Sequence, residues 1–81
     1  MTIKVKFFAI LHDLAGAREA TLELAEGATV STASTAIAKQ FPPIARHLSR
    51  VAFAVNQEYR DRETILRDGD EIALIPPVSG G

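Results

Sequence analysis

Only one segment of this chain carries an apolar stripe at helical spacing that is long enough to cover a sheet. Val30, Ala33, Ile37, Ala38 and Phe41 recur at that spacing. Pro42 and Pro43 end the run, because neither can donate the backbone bond that would continue a helix. Thr29 can cap the start, its hydroxyl accepting an orphan N–H of the first turn, and Ser31 competes for that role. The remaining apolar segments read as strands. In residues 2–8, Ile3, Val5 and Phe7 share one face while Lys4, Lys6 and Phe8 share the other. Residues 18–24 alternate again, with Ala20, Leu22 and Leu24 inward. Residues 51–55 are β-branched, aromatic or small and read as a buried strand; Tyr59 begins a short, weak one. Residues 71–75 form the last strand, with Ile72 and Leu74 inward. A lone long helix must therefore cover one face of one mixed sheet.

Turn chemistry punctuates this order. Residues 9–16 form a short connection with a helical turn that Gly16 ends, so the first two strands make a hairpin with a long link. Residues 26–28 and 56–58 are turns, and Asn56 tolerates a left-handed backbone. Residues 44–48 form a short helical turn, and Asp68-Gly69 is a strong turn signal. Pro76-Pro77 stops sheet pairing. The sequence strand, strand, helix, strand, short strand, strand is that of the β-grasp, or ubiquitin-like, fold in the α+β class. Residues 1–75 would form the domain and residues 76–81 an extended tail. Strand order within the sheet does not follow from the sequence and rests on the fold analogy.

Composition narrows the function. Nine basic and ten acidic residues give a net charge of -1, which argues against a nucleic-acid partner. No Lys/Arg run suggests a membrane surface, and no apolar stretch suffices to span a bilayer. The chain has no cysteine, which excludes disulfides, Cys-based zinc sites and catalytic thiols of its own. No signal peptide is visible, so the expected compartment is the cytoplasm.

The usual catalytic inventory is thin. His12 and His47 fall on different elements without a partner at ligand spacing and read as surface or packing residues. Asp61, Arg62 and Glu63 read as a solvated loop, and Asp68-Gly69-Asp70 as a turn, because the rest of a calcium loop is missing. Ser31, Ser34, Ser49 and Ser79 lack a nucleophile-elbow context. The tail stands apart. Two terminal glycines arise by chance in roughly 0.5% of chains, and here they follow a Pro-Pro pair. Proline favours an extended path, so the tail from Pro76 could reach roughly 20 Å, at about 3.1 to 3.4 Å per residue. Gly80 and Gly81 lack Cβ atoms, so their backbone can enter a channel too narrow for side chains. A stiff stem of Pro76, Pro77, Val78 and Ser79 with a slim tip suits insertion into another protein's active site.

A carboxylate is a poor acyl donor. Transfer of AMP from ATP would make it a mixed anhydride and split one hard step into two easier ones. Attack by sulfur would then give a thiocarboxylate, and attack by a lysine amine an isopeptide. The chain has no phosphate-cradling glycine loop, so a partner must supply the ATP chemistry.

At this point the motifs identify a family. Lys4-Val5-Lys6-Phe7-Phe8-Ala9 with Leu11 and Leu14-Ala15-Gly16, then Val55-Asn56-Gln57, then the run from Leu66 through Asp68-Gly69-Asp70 to Ala73, and finally Pro76-Pro77-Val78-Ser79-Gly80-Gly81, resemble the sulfur-carrier subunits of molybdopterin synthase. The likeness runs end to end, although residues 29–50 match only in pattern. The Pro-Pro-Val-Ser-Gly-Gly terminus is its most specific piece; the Val-Asn and Asp-Gly-Asp pieces are shared with the thiamine-pathway carrier.

The resemblance implies that a ubiquitin-activating-like adenylyltransferase adenylates Gly81 with its own ATP and Mg. The chain itself binds no cofactor and no metal. Conversion to a thiocarboxylate follows, and sulfur passes to cyclic pyranopterin monophosphate on the large synthase subunit, building the molybdopterin dithiolene. By the same analogy the assembly is a heterotetramer of two small and two large subunits, in which this chain is a carrier more than a catalyst. A protein modifier conjugated to lysines through Gly81 and the thiamine-pathway carrier are the rivals. The long segment after Phe7-Phe8-Ala9 and the Pro76-Pro77-Val78 stem speak against the latter. Alternation also places Phe8, Ala73 and Ile75 on the outer face of the sheet, and Tyr59 is expected to join them. Phe8, Tyr59 and Ile75 are the expected docking patch.

Overall fold

The computed structural model of this chain describes residues 1–77. The strands β1 (Thr2–Phe7), β2 (Glu19–Glu23), β3 (Ala52–Val55), β4 (Glu58–Arg60) and β5 (Glu71–Ile75) form one five-stranded sheet in the order β2-β1-β5-β3-β4. β1 pairs antiparallel with β2 and parallel with β5, so the sheet is mixed and its first and last strands lie side by side. β5 pairs antiparallel with β3, which pairs antiparallel with β4. Beside the short α1 (Ile10–Ala15), the main helix is α2 (Val30–Gln40), followed by a 3-10 helix over Pro42–His47. The architecture is the expected β-grasp.

Alternation built the core as read. Ile3, Val5 and Phe7 of β1, Leu22 of β2, Phe53 and Val55 of β3, and Ile72 and Leu74 of β5 are buried on one face. Val30, Ala33 and Ile37 of α2 pack there, and Ile44 and Leu48 close the end. Phe41 meets Phe7 edge-on, with ring centroids 5.0 Å apart, a geometry in which positive ring edge meets negative face. Ser34 is also buried, on the α2 face that the apolar stripe had defined without it.

The ends of α2 follow from local chemistry. Thr29, not Ser31, is the N-cap: its hydroxyl accepts from the Thr32 amide while the Thr32 hydroxyl accepts from the Thr29 amide. The next free amides, of Val30 and Ser31, donate to the carbonyls of Thr64 and Arg62, so a distant loop completes the cap. Arg62 is half-buried and holds that loop in place. Its guanidinium lies 4.9 Å from the centre of the Phe53 ring and donates to the Leu48 carbonyl at 2.6 Å. Its neighbours Asp61 and Glu63 are exposed, as a solvated loop requires.

Candidate functional site

The outer face of the sheet is built from the residues that alternation excluded from the core. Register places Lys6 opposite Ala73, Ala73 opposite Ala54, and Ala54 opposite Tyr59, one row running across four strands. In the next row Ile75 stands opposite Ala52. Phe8 directly follows Phe7, whose register partner is Leu74, so Phe8 and Ile75 leave the ends of two neighbouring strands together. Phe8 is 46% exposed and Tyr59 71% exposed, while Ile75 and Ala73 are half-buried.

The face is apolar along its middle. Ala52 and Ala54 extend it between Ile75 and Tyr59, and Ala54 is buried despite facing outward, because Ala73 and Tyr59 stand on either side of it. The buried strand expected over residues 51–55 is buried at Phe53, Ala54 and Val55, whereas Ala52 is exposed. The available signal was the alternation of small and large residues in Ala52-Phe53-Ala54-Val55: the small ones face out. Near one margin, Lys6 pairs with Glu71 at 3.6 Å across β1 and β5.

Phe8 sits at an unusual corner. Its carbonyl accepts from the Leu11 amide at 3.0 Å, closing a four-residue turn. Ala9, the first central residue, has φ 51 and ψ -131, the region a type II′ turn needs at that position and that glycine normally fills. An open concavity of about 600 Å³ borders this corner, lined by Lys6, Phe8, His12, Asp13, Arg18 and Glu19.

The stem begins where β5 ends. Pro76 is half-buried and Pro77 exposed. Val78, Ser79, Gly80 and Gly81 lie outside the described residues. His12 and His47 are half-buried on separate elements. Among the described residues no cluster of three or more His, Cys, Asp or Glu side chains could hold a metal.

Two of the sequence motifs meet in space. The Asn56 amide nitrogen donates to Asp70 Oδ1 at 2.9 Å, and Asn56 Oδ1 accepts from the Glu71 amide at 3.0 Å. Asn56 and Gln57 both have positive φ, 50 and 71, as a two-residue hairpin of type I′ demands. Val-Asn and Asp-Gly-Asp are therefore one structural device joining the β3–β4 hairpin to the start of β5. Asp68 adds a bond from the Thr2 amide at 2.7 Å, tying β1 to the same turn.

The ThiS family matches this chain over residues 5–81. The chain is 43% identical over 84 residues to the molybdopterin synthase sulfur carrier subunit of Chlamydomonas reinhardtii, with 100% of both chains covered. Among solved structures it is similar to SAMP1 from Haloferax volcanii, with a TM-score of 0.91, 30% identity and both chains covered completely. It is also similar to a chain in the complex of subunits 1 and 2 of the molybdopterin-converting factor from Helicobacter pylori, with a TM-score of 0.72, 29% identity and 100% of both chains covered. A match that takes in the hairpin device, the outer face and the Gly-Gly terminus alike has a plain consequence: the chain belongs to the ThiS family, among its molybdopterin synthase sulfur carrier subunits.

Proposed function

We propose that this chain carries sulfur on Gly81 for the assembly of the molybdopterin dithiolene. The carboxylate oxygen of Gly81 attacks the α-phosphorus of ATP and pyrophosphate leaves, giving an acyl adenylate. Hydrosulfide, as the sulfur nucleophile, then attacks the acyl carbon and AMP leaves, giving the thiocarboxylate and a proton. ATP and Mg belong to the activating enzyme, a ubiquitin-activating-like adenylyltransferase. The charged chain donates its sulfur to cyclic pyranopterin monophosphate held by the large subunit. The sulfur bonds to a substrate carbon, water cleaves the acyl–sulfur bond and Gly81 returns as a carboxylate, so the two sulfurs of the dithiolene take two charged chains. Pro76, Pro77, Val78, Ser79 and Gly80 are the stem that carries Gly81 into both active sites.

One observation supports this reading best: the sheet's outer face is apolar through Ala52, Ala54, Ala73 and Ile75, and the stem departs from that same strand end. A docking surface and an inserted terminus must lie together if one binding event is to deliver the other. Phe8, Tyr59 and Ile75 are the anchors on that surface. The Helicobacter pylori relative is a complex of subunits 1 and 2, which supports a large subunit as the partner here. A heterotetramer of two small and two large subunits and a cytoplasmic location accord with the same reading. Among the described residues no helix is long and apolar enough to cross a membrane.

The test is mass analysis of the intact chain after incubation with the activating enzyme, ATP-Mg and a sulfur donor. Replacement of one oxygen by sulfur, mapped by alkylation to the C-terminal peptide alone, is the expected result. Label on any internal peptide refutes it. The likeness to SAMP1, a small archaeal modifier protein, favours a second reading, conjugation to lysines. Isopeptide-linked adducts in denaturing gels, with no free thiocarboxylate, decide for that alternative.

A further inference from the structure

Ala9 is the one non-glycine residue outside the Asn56-Gln57 hairpin that has positive φ among the described residues. At φ 51 and ψ -131 its Cβ crowds the backbone, and a residue held there persists only where its surroundings over-determine it. The surroundings do so here. On one side, Phe7 is buried and its amide donates to the Arg18 carbonyl at 2.9 Å. On the other, Leu11 is fully buried and its amide donates to the Phe8 carbonyl. Between these fixed points the chain must leave β1, reverse and enter α1. Helix α1 does not dictate the corner by itself. It has six residues and no side-chain cap at its start, too short to be stable without packing.

Glycine would adopt this backbone without steric penalty, so folding alone favours glycine at position 9. What alanine adds is restriction: a glycine corner would let the Phe8–Ile10 segment sample more backbone states. We propose that Ala9 is a positioning residue whose positive-φ corner holds Phe8 on the outer face, pre-ordered for the large subunit. This inference rests on the docking reading above. Pre-ordering matters because each side chain immobilised on association costs about threefold to tenfold in affinity.

The experiment compares Ala9→Gly, Ala9→Asn and Phe8→Ala in the full chain, by thermal unfolding and by calorimetric titration with the purified large subunit. Ala9→Gly is expected to keep or raise the melting temperature while weakening binding about threefold to tenfold. Ala9→Asn retains a Cβ, and asparagine is accepted at the positive-φ position of a type II′ turn, so it is expected to bind as the parent does. Side-chain relaxation of the Phe8 ring in the free chain should show more motion in Ala9→Gly than in the parent. Unchanged affinity in Ala9→Gly, while Phe8→Ala loses affinity, overturns the positioning role and leaves the docking reading standing. A clear fall in melting temperature for Ala9→Gly overturns the premise that the corner is strained. If Phe8→Ala itself binds as tightly as the parent, the docking reading fails and the positioning role fails with it.

Discussion

Replacing Asn56 by alanine removes three stabilising features at once. The Asn56 side chain donates to Asp70 and accepts from the Glu71 amide, and its backbone sits at φ 50. Each lost hydrogen bond at an exposed site contributes about 0.5–1 kcal/mol. Alanine also tolerates a left-handed backbone less well than asparagine, by up to about 1 kcal/mol. The sum is about 2 kcal/mol, which for a domain of this size lowers the melting temperature by about 8–16 °C. Thermal and urea unfolding followed by circular dichroism measure it. Asn56→Gly separates the parts: it keeps the backbone freedom and loses only the two amide bonds, so it should still cost about 1–2 kcal/mol. Asn56→Asp keeps an acceptor for the Glu71 amide but sets a second carboxylate against Asp70, so part of its deficit should vanish at high salt. A double-mutant cycle with Asp70→Ala should give a coupling of about 0.5–1 kcal/mol, since the two side chains touch. Stability within about 0.5 kcal/mol of the parent for Asn56→Ala would refute the idea that this contact joins the hairpin to β5.

Further outcomes test other parts of the molecule. Ile37→Ala empties a fully buried site under the sheet and should destabilise by about 3 kcal/mol in urea titration; a loss below about 1 kcal/mol contradicts its central packing. Thr29→Ala removes half of a reciprocal cap and should cost about 1 kcal/mol, with Ser31→Ala near neutral as the control. Phe8→Ala should weaken binding to the large subunit roughly 30-fold while the circular dichroism spectrum stays that of the parent. A residue added after Gly81 displaces the reacting carboxylate and should slow thiocarboxylate formation by about 100-fold or more, as should Gly81→Ala to a lesser degree. Full activity of the extended chain, with mass analysis showing the extension intact, contradicts the assignment of Gly81.

What the sequence determined by itself was most of what is set within a few residues. The period of two in β1 and β5, the stripe on α2, the Gly16 stop and the Asn56 turn all appear where local chemistry put them, and of the two cap candidates, Thr29 and Ser31, the helix takes Thr29. These follow from side-chain direction and backbone preference, which neighbouring residues decide. Tertiary structure decided which strand edges meet. The order β2-β1-β5-β3-β4, and with it the parallel pairing of the first and last strands, has no local signature. Alternation says which face a residue takes, not which strand lies beside it. From that pairing come the meeting of Asn56 with Asp70, the outward shelter of Ala54 and the neighbouring exits of Phe8 and the Pro76 stem. The positive φ of Ala9 also had to wait for the fold, because alanine shows no local preference for it. The burial of Phe7 and Leu11 on either side, with their amides bonded to the Arg18 and Phe8 carbonyls, takes the chain through that corner.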